Sequence, residues 1–427
     1  MNLKLLKQKD FFLLIFGKLI SLLGTGIQEF ALSMYVLKIT GSGAKFSTVL
    51  AVSMIAPILL GPIAGVFVDW LDKKKIIVYC DILSGIIVGI YALFFKTNHG
   101  LSLLSIYVLA ILLSLISTIF QPAISTVIPS IVKKEELVEA NSFNSIVMNV
   151  GTILGPILGG MLLGLLGIFP VLIVNSISFI LSGISEAFIN IPRSNKQNKD
   201  ISFQLFKRDF KEGVVFIKNK RFIFITISIA IIINFVFTPV FNVAYPYIAK
   251  EILGVTDVKV GLLQSIATGA MIVGAMMCGF ITKNVRANKC MFISMIVISM
   301  LMVILALSQS SMYLNLFKTN MVAYIHLAIL GFLIIFVVTI NNIVLMTTIQ
   351  KEVPLDMLGR VNTVMSSFAM AAMPLGCIIF GFSIDKVKPC ICILVASAIA
   401  FCTIIYFKKD LLKLEMKEND AEINADM

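Results

Sequence analysis

The stretch VKKEELVEANSFNSIVMNVGTILGPILGG, Val132 to Gly160, decides the fold. It opens on a short charged turn and then runs apolar for the depth of a bilayer. Only a helix can satisfy its own backbone on such a path through lipid. The opening returns later in the chain. Val132 to Asn141 reads VKKEELVEAN and Val353 to Asn362 reads VPLDMLGRVN, sharing Val, an acid, Leu and Asn. The offset is 221 residues, and it also carries Gly160 onto Gly381. A parallel repeat of this kind is a mark of transporters whose substrate site lies between two halves near the midplane.

Outward from this stretch, the same kind of block recurs. A bilayer core of about 30 Å needs roughly 20 helical residues. Blocks of that kind fall near 11–37, 45–69, 76–96, 101–131, 138–166, 170–190, 221–248, 258–282, 289–310, 322–349, 361–385 and 389–407. The expected fold is therefore an all-α integral membrane protein of twelve transmembrane helices in two six-helix pseudo-symmetric halves. The expected boundaries are a first bundle at 1–190, a linker with an amphipathic helix at 191–220, a second bundle at 221–407 and a tail at 408–427. In the linker, Phe206, Phe210, Val214 and Ile217 share one face, aimed at membrane or protein.

Composition agrees. Hydrophobic residues make up 59% and charged ones 14%, with a mean hydropathy of +1.00. A water-soluble domain is about 45–50% apolar and about 25% charged. That excludes a soluble enzyme and a disordered chain, and the solid apolar runs exclude an outer-membrane barrel. The net charge of +12 sits in short Lys and Arg runs between blocks, a topogenic pattern and not a nucleic-acid footprint. With the N-terminus placed in the cytoplasm, 26 of the 35 Lys and Arg fall on the cytoplasmic side. The expectation is a bacterial plasma-membrane protein, multi-pass, both termini cytoplasmic and monomeric, with no cleavable signal. The seven Cys form no CxxC pair and read as reduced fillers.

Four stretches carry a resemblance. They are GPIAGVFVDWLDKKK (Gly61 to Lys75), FQPAISTVIPSIVKKEELVEAN (Phe120 to Asn141), GTILGPILGG (Gly151 to Gly160) and IQKEVPLDMLGRV (Ile349 to Val361). Together they resemble the drug-exporter branch of the major facilitator superfamily, the branch of macrolide efflux and enterobactin-exporter-like proteins. The first matches the superfamily's loop motif at Gly65, Asp69 and the cations Lys73, Lys74 and Lys75. The resemblance implies a conformational latch made of Gly65, Asp69, Asp72, Lys73, Lys74 and Asp81, with a state-dependent contact from Asp69 to Arg360. Trp70 departs from the motif's usual Arg. The third stretch is similar to the exporter motif built on GxxxGP. Gly151, Gly155 and Gly159 clear one helix face for close packing, and Pro156 removes a backbone donor to make a hinge. Many relatives carry an Arg midway along the fourth helix. Leu113 stands there, so either coupling uses other residues or the family mechanism is not retained.

Charge at bilayer depth costs about 2.5–3.5 kcal/mol on insertion scales. Four charged residues lie inside blocks: Lys18, Glu29, Asp81 and Glu186. Lys18, Ser21, Thr25, Gln28, Glu29 and Ser33 recur at helical steps and are expected to line a cavity. Glu29 could carry a proton, neutralise a cationic substrate, or hydrogen-bond to a neighbouring helix. Asp81 is expected to form a structural ion pair with Lys75 near the cytoplasmic face, while Glu186 and Lys18 are expected to snorkel. Asn234, Thr238, Asn242 and Tyr245 form a matching stripe interrupted by Pro239. Asn341 and Asn342 are expected to bond across helices, and only one of them can aim at the cavity. His326 reads as a packing residue more than a proton relay.

These features point to a secondary transporter that exports a small amphiphilic molecule, with a siderophore or another endogenous metabolite as the alternative cargo. No cofactor or metal is expected; a proton gradient would supply the energy. The partners are the cargo and the lipid bilayer, with no nucleic acid. An ATP-driven pump would need a GxxxxGK[ST] loop, which the chain lacks. A membrane enzyme would need clustered nucleophiles or ligands at depth. A sensor built on the same fold is the remaining class.

Overall fold

The computed structural model describes residues 5–191, 203–283, 285–317 and 319–425. Thirteen long helices organise them: α1 Lys9–Thr40, α2 Gly43–Trp70, α3 Lys73–Asn98, α4 Leu103–Ile131, α5 Leu137–Leu166, α6 Ile168–Ala187, α7 Phe203–Asn219, α8 Arg221–Ile252, α9 Asp257–Thr282, α10 Ala287–Ser308, α11 Asn320–Glu352, α12 Leu355–Ile384 and α13 Pro389–Ala425. Twelve of them, all but α7, are long and apolar enough to cross a membrane. Local chemistry sets the ends. The carboxylate of Asp72 accepts from the Lys74 and Lys75 N–H groups at the start of α3, and Ser102 and Thr319 cap α4 and α11 in the same way. Gly41, at φ +60, takes the left-handed position that ends α1.

Two compact units emerge. Unit 1 holds residues 1–41, 48–201 and 255–265; unit 2 holds 42–47, 202–254 and 266–427. In unit 1, α1 lies against α5 and α6, and α3 lies against α6 and α4. In unit 2, α10 lies against α13 and α11, and α12 against α8 and α7. Each unit thus builds on long apolar helices whose buried faces carry small residues.

The 221-residue repeat has a structural counterpart. A Cβ on Gly160 would meet the Asp257 carbonyl oxygen at 2.5 Å, so the start of α9 rests on α5 within unit 1. A Cβ on Gly381 would meet the Gly43 carbonyl oxygen at 2.7 Å, so the start of α2 rests on α12 within unit 2. Both glycines do the same work at equivalent positions: each lets the backbone of a helix's first turn sit directly on a neighbouring helix.

The chain stays helical through Pro239. Val240–Ala244 and Ile248–Ile252 form π turns, and the Tyr245 N–H bonds back to the Val240 carbonyl. Pro239 and Pro246 lack amide hydrogens, and widening to the i→i−5 pattern lets the helix run on past them.

Candidate functional site

The polar residues of α1 divide between two faces. Lys18, Ser21, Gln28 and Ser33 are buried, whereas Glu29 is exposed and Thr25 half-buried. This corrects the expectation of one cavity-lining stripe. Gln28 is 2% exposed and its side-chain oxygen accepts from Asn175 Nδ2 of α6 at 2.8 Å. Ser178 in turn donates to Asn175 Oδ1 at 3.0 Å. Gly24 makes the room, because a Cβ there would lie 2.0 Å from Ser178 Oγ and 2.4 Å from Asn175 Oδ1. The physical reason for the split is angular. Gln28 and Glu29 are successive residues, about 100° apart around the helix, so the α6-facing side takes one and leaves the other open.

Three buried charges also depart from expectation. Lys18 does not snorkel; it is 5% exposed and donates to Asn144 Oδ1 of α5 at 2.7 Å. Asp81 is 3% exposed and does not take the loop-side partnership with Lys75; it lies beside Ser182 of α6. Six residues turn a helix by about 600°, which sets Asp81 roughly 240° away from Lys75. Glu186 is fully buried, and neither carboxylate oxygen has a hydrogen-bond partner. Its neighbours along α6, Asn175, Ser178, Ser182 and Gly183, share that buried face. The spacing of these small polar residues in NSISFILSGISE was the signal available in the sequence; it was overlooked because no single member is charged until Glu186.

The glycine face of α5 lies against α1. A Cβ on Gly151 would meet Leu22 Cβ at 3.2 Å, one on Gly155 would meet Gly26 Cα at 2.9 Å, and one on Gly159 would meet the Ile27 carbonyl oxygen at 2.8 Å. Pro156 borders the opposite contact: a Cβ on Gly261 of α9 would sit 2.1 Å from the Pro156 carbonyl oxygen. Ser265 Oγ donates to the Ile153 carbonyl at 2.6 Å. One helix thus carries two close backbone contacts.

The surroundings of Gly65 and the side chains of Asp69 and Trp70 fall outside what the structure describes, and with them the contact from Asp69 to Arg360. In this structure Arg360 engages α7: its Nη1 lies 2.8 Å from Glu212 Oε2 and its Nε 3.4 Å from Asp209 Oδ1. Phe210 sits on Phe368 of α12 with ring centroids 6.2 Å apart, and Ile217 and Val214 join the apolar core of unit 2. Phe206 lies outside the described side chains. Asp72 serves as the α3 cap. Lys73 and Lys74 lie in the first turn of that helix, half-buried.

In unit 2, Asn234 donates to the Ala230 carbonyl of its own helix at 2.9 Å, Thr238 is buried and Asn242 half-buried. Tyr245 is buried and donates to the Leu327 carbonyl at 3.1 Å, filling the gap left by Gly331. Asn341 makes no cross-helix bond: it is fully buried with neither amide atom partnered, and Asn342 is exposed. His326 meets the Tyr313 hydroxyl. Asp385 was overlooked in the sequence. At the end of α12 it accepts from Ser42 Oγ, from the Gly43 N–H at 2.6 Å and from the Ala44 N–H at 3.1 Å, capping α2. A groove of about 280 Å³ lies among α8, α12 and α13, walled by Phe235, Phe380, Ile391 and Val395. It holds no charged residue, and Ile391 and Val395 are open to the surface, which suits a hydrocarbon chain.

Twelve apolar spans, with polar groups buried between the helices, fit a multi-pass membrane transporter. The chain belongs to the Major Facilitator Superfamily, whose family model matches residues 14–377. It is 20% identical over 407 residues to macrolide efflux protein A of Streptococcus pyogenes, covering 94% of this chain and 96% of that one. It is 24% identical over 376 residues to the multidrug efflux pump Tap of Mycobacterium tuberculosis, covering 87% of this chain and 86% of that one. In fold it is similar to a bacterial homologue of the iron transporter ferroportin, with a TM-score of 0.73 at 15% identity over 93% of this chain and 98% of that one. The nucleoside transporter NupG is similar too, with a TM-score of 0.70 at 15% identity over 97% of this chain and 100% of that one. At such identities the likeness of the solved structures speaks to fold alone.

Proposed function

We propose that this transporter is a secondary active exporter, moving an amphiphilic molecule of the macrolide class out of the cell by alternating access in exchange for inward protons. The observation that carries the reading is the α1–α5 joint. Gly155 and Gly26 meet backbone to backbone, Pro156 sits beside them, and the same stretch of α1 leaves Glu29 uncovered. A carboxylate exposed on an apolar span is costly against lipid; facing a water-filled cavity it is free to exchange a proton or meet a cationic cargo. The names of the efflux relatives support drug export as the direction and class.

The test is a drug panel in cells stripped of their own pumps, with and without a protonophore. Expression should lower macrolide accumulation, the protonophore should erase the effect, and Glu29→Gln should abolish it while the protein still inserts. Full export by that variant would remove Glu29 from the mechanism. Absence of net flux of any panel compound would refute the exporter reading and favour a sensor on the same fold.

A further inference from the structure

We propose that Lys18 of α1, Asp81 of α3 and Glu186 of α6 form a buried site in unit 1 that binds one exchangeable proton. The inference deepens the exporter reading by naming a second place where its coupling ion resides, apart from Glu29. Three helices bring the groups together. A Cβ on Gly183 would lie 3.4 Å from the Asp81 Cβ, so α3 and α6 touch at that level. A Cβ on Gly17 would lie 3.3 Å from Ser182 Oγ, so α1 closes on the same turn of α6. Glu186 is one turn further along, within the electrostatic reach of both Asp81 and Lys18.

Charge accounting identifies the ligand. The cluster contains two carboxylates and one ammonium, all at most 5% exposed. Other groups facing it are few: Cys80 of α3 neighbours both acids, α5 contributes the neutral Asn144, and α4 has no charged residue. Both Glu186 oxygens and Asp81 Oδ2 have no hydrogen-bond partner. A buried unpaired charge is costly and pairing restores it only in part, so one anion balances Lys18 and the other is neutral only when it holds a proton. That proton also supplies the donor that the orphaned oxygens lack. The described residues offer no group of three or more His, Cys, Asp and Glu that could hold a metal ion, and a single proton is the ligand that matches one unbalanced carboxylate.

The experiment reads protons directly and needs no substrate. Infrared spectra of the purified full-length protein at neutral pH should show a carboxylic-acid band that shifts in heavy water. The band should be lost from the Glu186→Gln, Asp81→Asn double variant, whose neutral isosteres keep the volume. Lys18→Met should show a stronger carboxylic-acid band than the wild type, because the second carboxylate then lacks its cation and takes a proton of its own. In everted vesicles with erythromycin as the probe, Glu186→Gln should retain exchange at equilibrium and lose uphill accumulation, its concentration ratio falling to one. An acid band equally strong in the wild type and the double variant would overturn the site, as would an acid band in Lys18→Met no stronger than that of the wild type. If the wild type moves no erythromycin, the exporter reading fails while the infrared result still decides the proton site.

Discussion

Gly155→Ala puts a methyl group where α1 and α5 have none. The new carbon would lie 2.9 Å from Gly26 Cα and 3.0 Å from the Gly26 carbonyl carbon, both backbone atoms that cannot swing aside. Carbon pairs rest at about 3.5–4.0 Å, so the helices must part by roughly 0.5–1 Å. Overpacking of this kind costs about 1–3 kcal/mol. Alanine returns some of this, because replacing a helical glycine stabilises by roughly 0.5–1 kcal/mol. The net expectation is a loss of about 1 kcal/mol, read as a lower midpoint in thermal unfolding of the detergent-solubilised protein. The glycines should rank by what they face. Gly151→Ala, which meets a side-chain Cβ at 3.2 Å, should cost less than Gly155→Ala. Gly61→Ala, with nothing within 4 Å, should cost nothing or stabilise. A Gly155→Ala protein as stable as Gly61→Ala would refute the claim that backbone contact is what these glycines provide.

Two local perturbations follow from the hydrogen bonds. Asp385→Ala removes the cap of α2, worth about 1–2 kcal/mol, and should speed amide exchange at Gly43 and Ala44 by roughly fivefold to thirtyfold; Asp385→Asn, which keeps one acceptor oxygen, should lose less, and equal exchange in all three proteins would count against the cap. Arg360→Met should loosen α7, with exchange across residues 203–219 rising by about fivefold, since the pairs are a third or more exposed and worth at most about 1 kcal/mol; unchanged protection would show that Phe210 and Ile217 alone hold the helix.

Much was legible before any coordinates. Length and hydropathy of the blocks dictate twelve spans, because a backbone in lipid has no alternative to a helix of that length. The echo of Val132–Asn141 at Val353–Asn362 is legible as a repeat, and its two glycines, Gly160 and Gly381, seat the first turns of α9 and α2. What sequence could not supply was direction around each helix. Periodicity grouped Gln28 with Glu29, yet only packing against α6 decides that the first is sealed to Asn175 and the second open. It also paired Asp81 with Lys75 and let Glu186 snorkel, whereas tertiary structure buries both beside the seam of α3 and α6, where α1 brings Lys18. Hydropathy is a sum over neighbours in sequence, and it fixes how many helices form. The cost of burying charge depends on neighbours in space, and only the assembled bundle determines those.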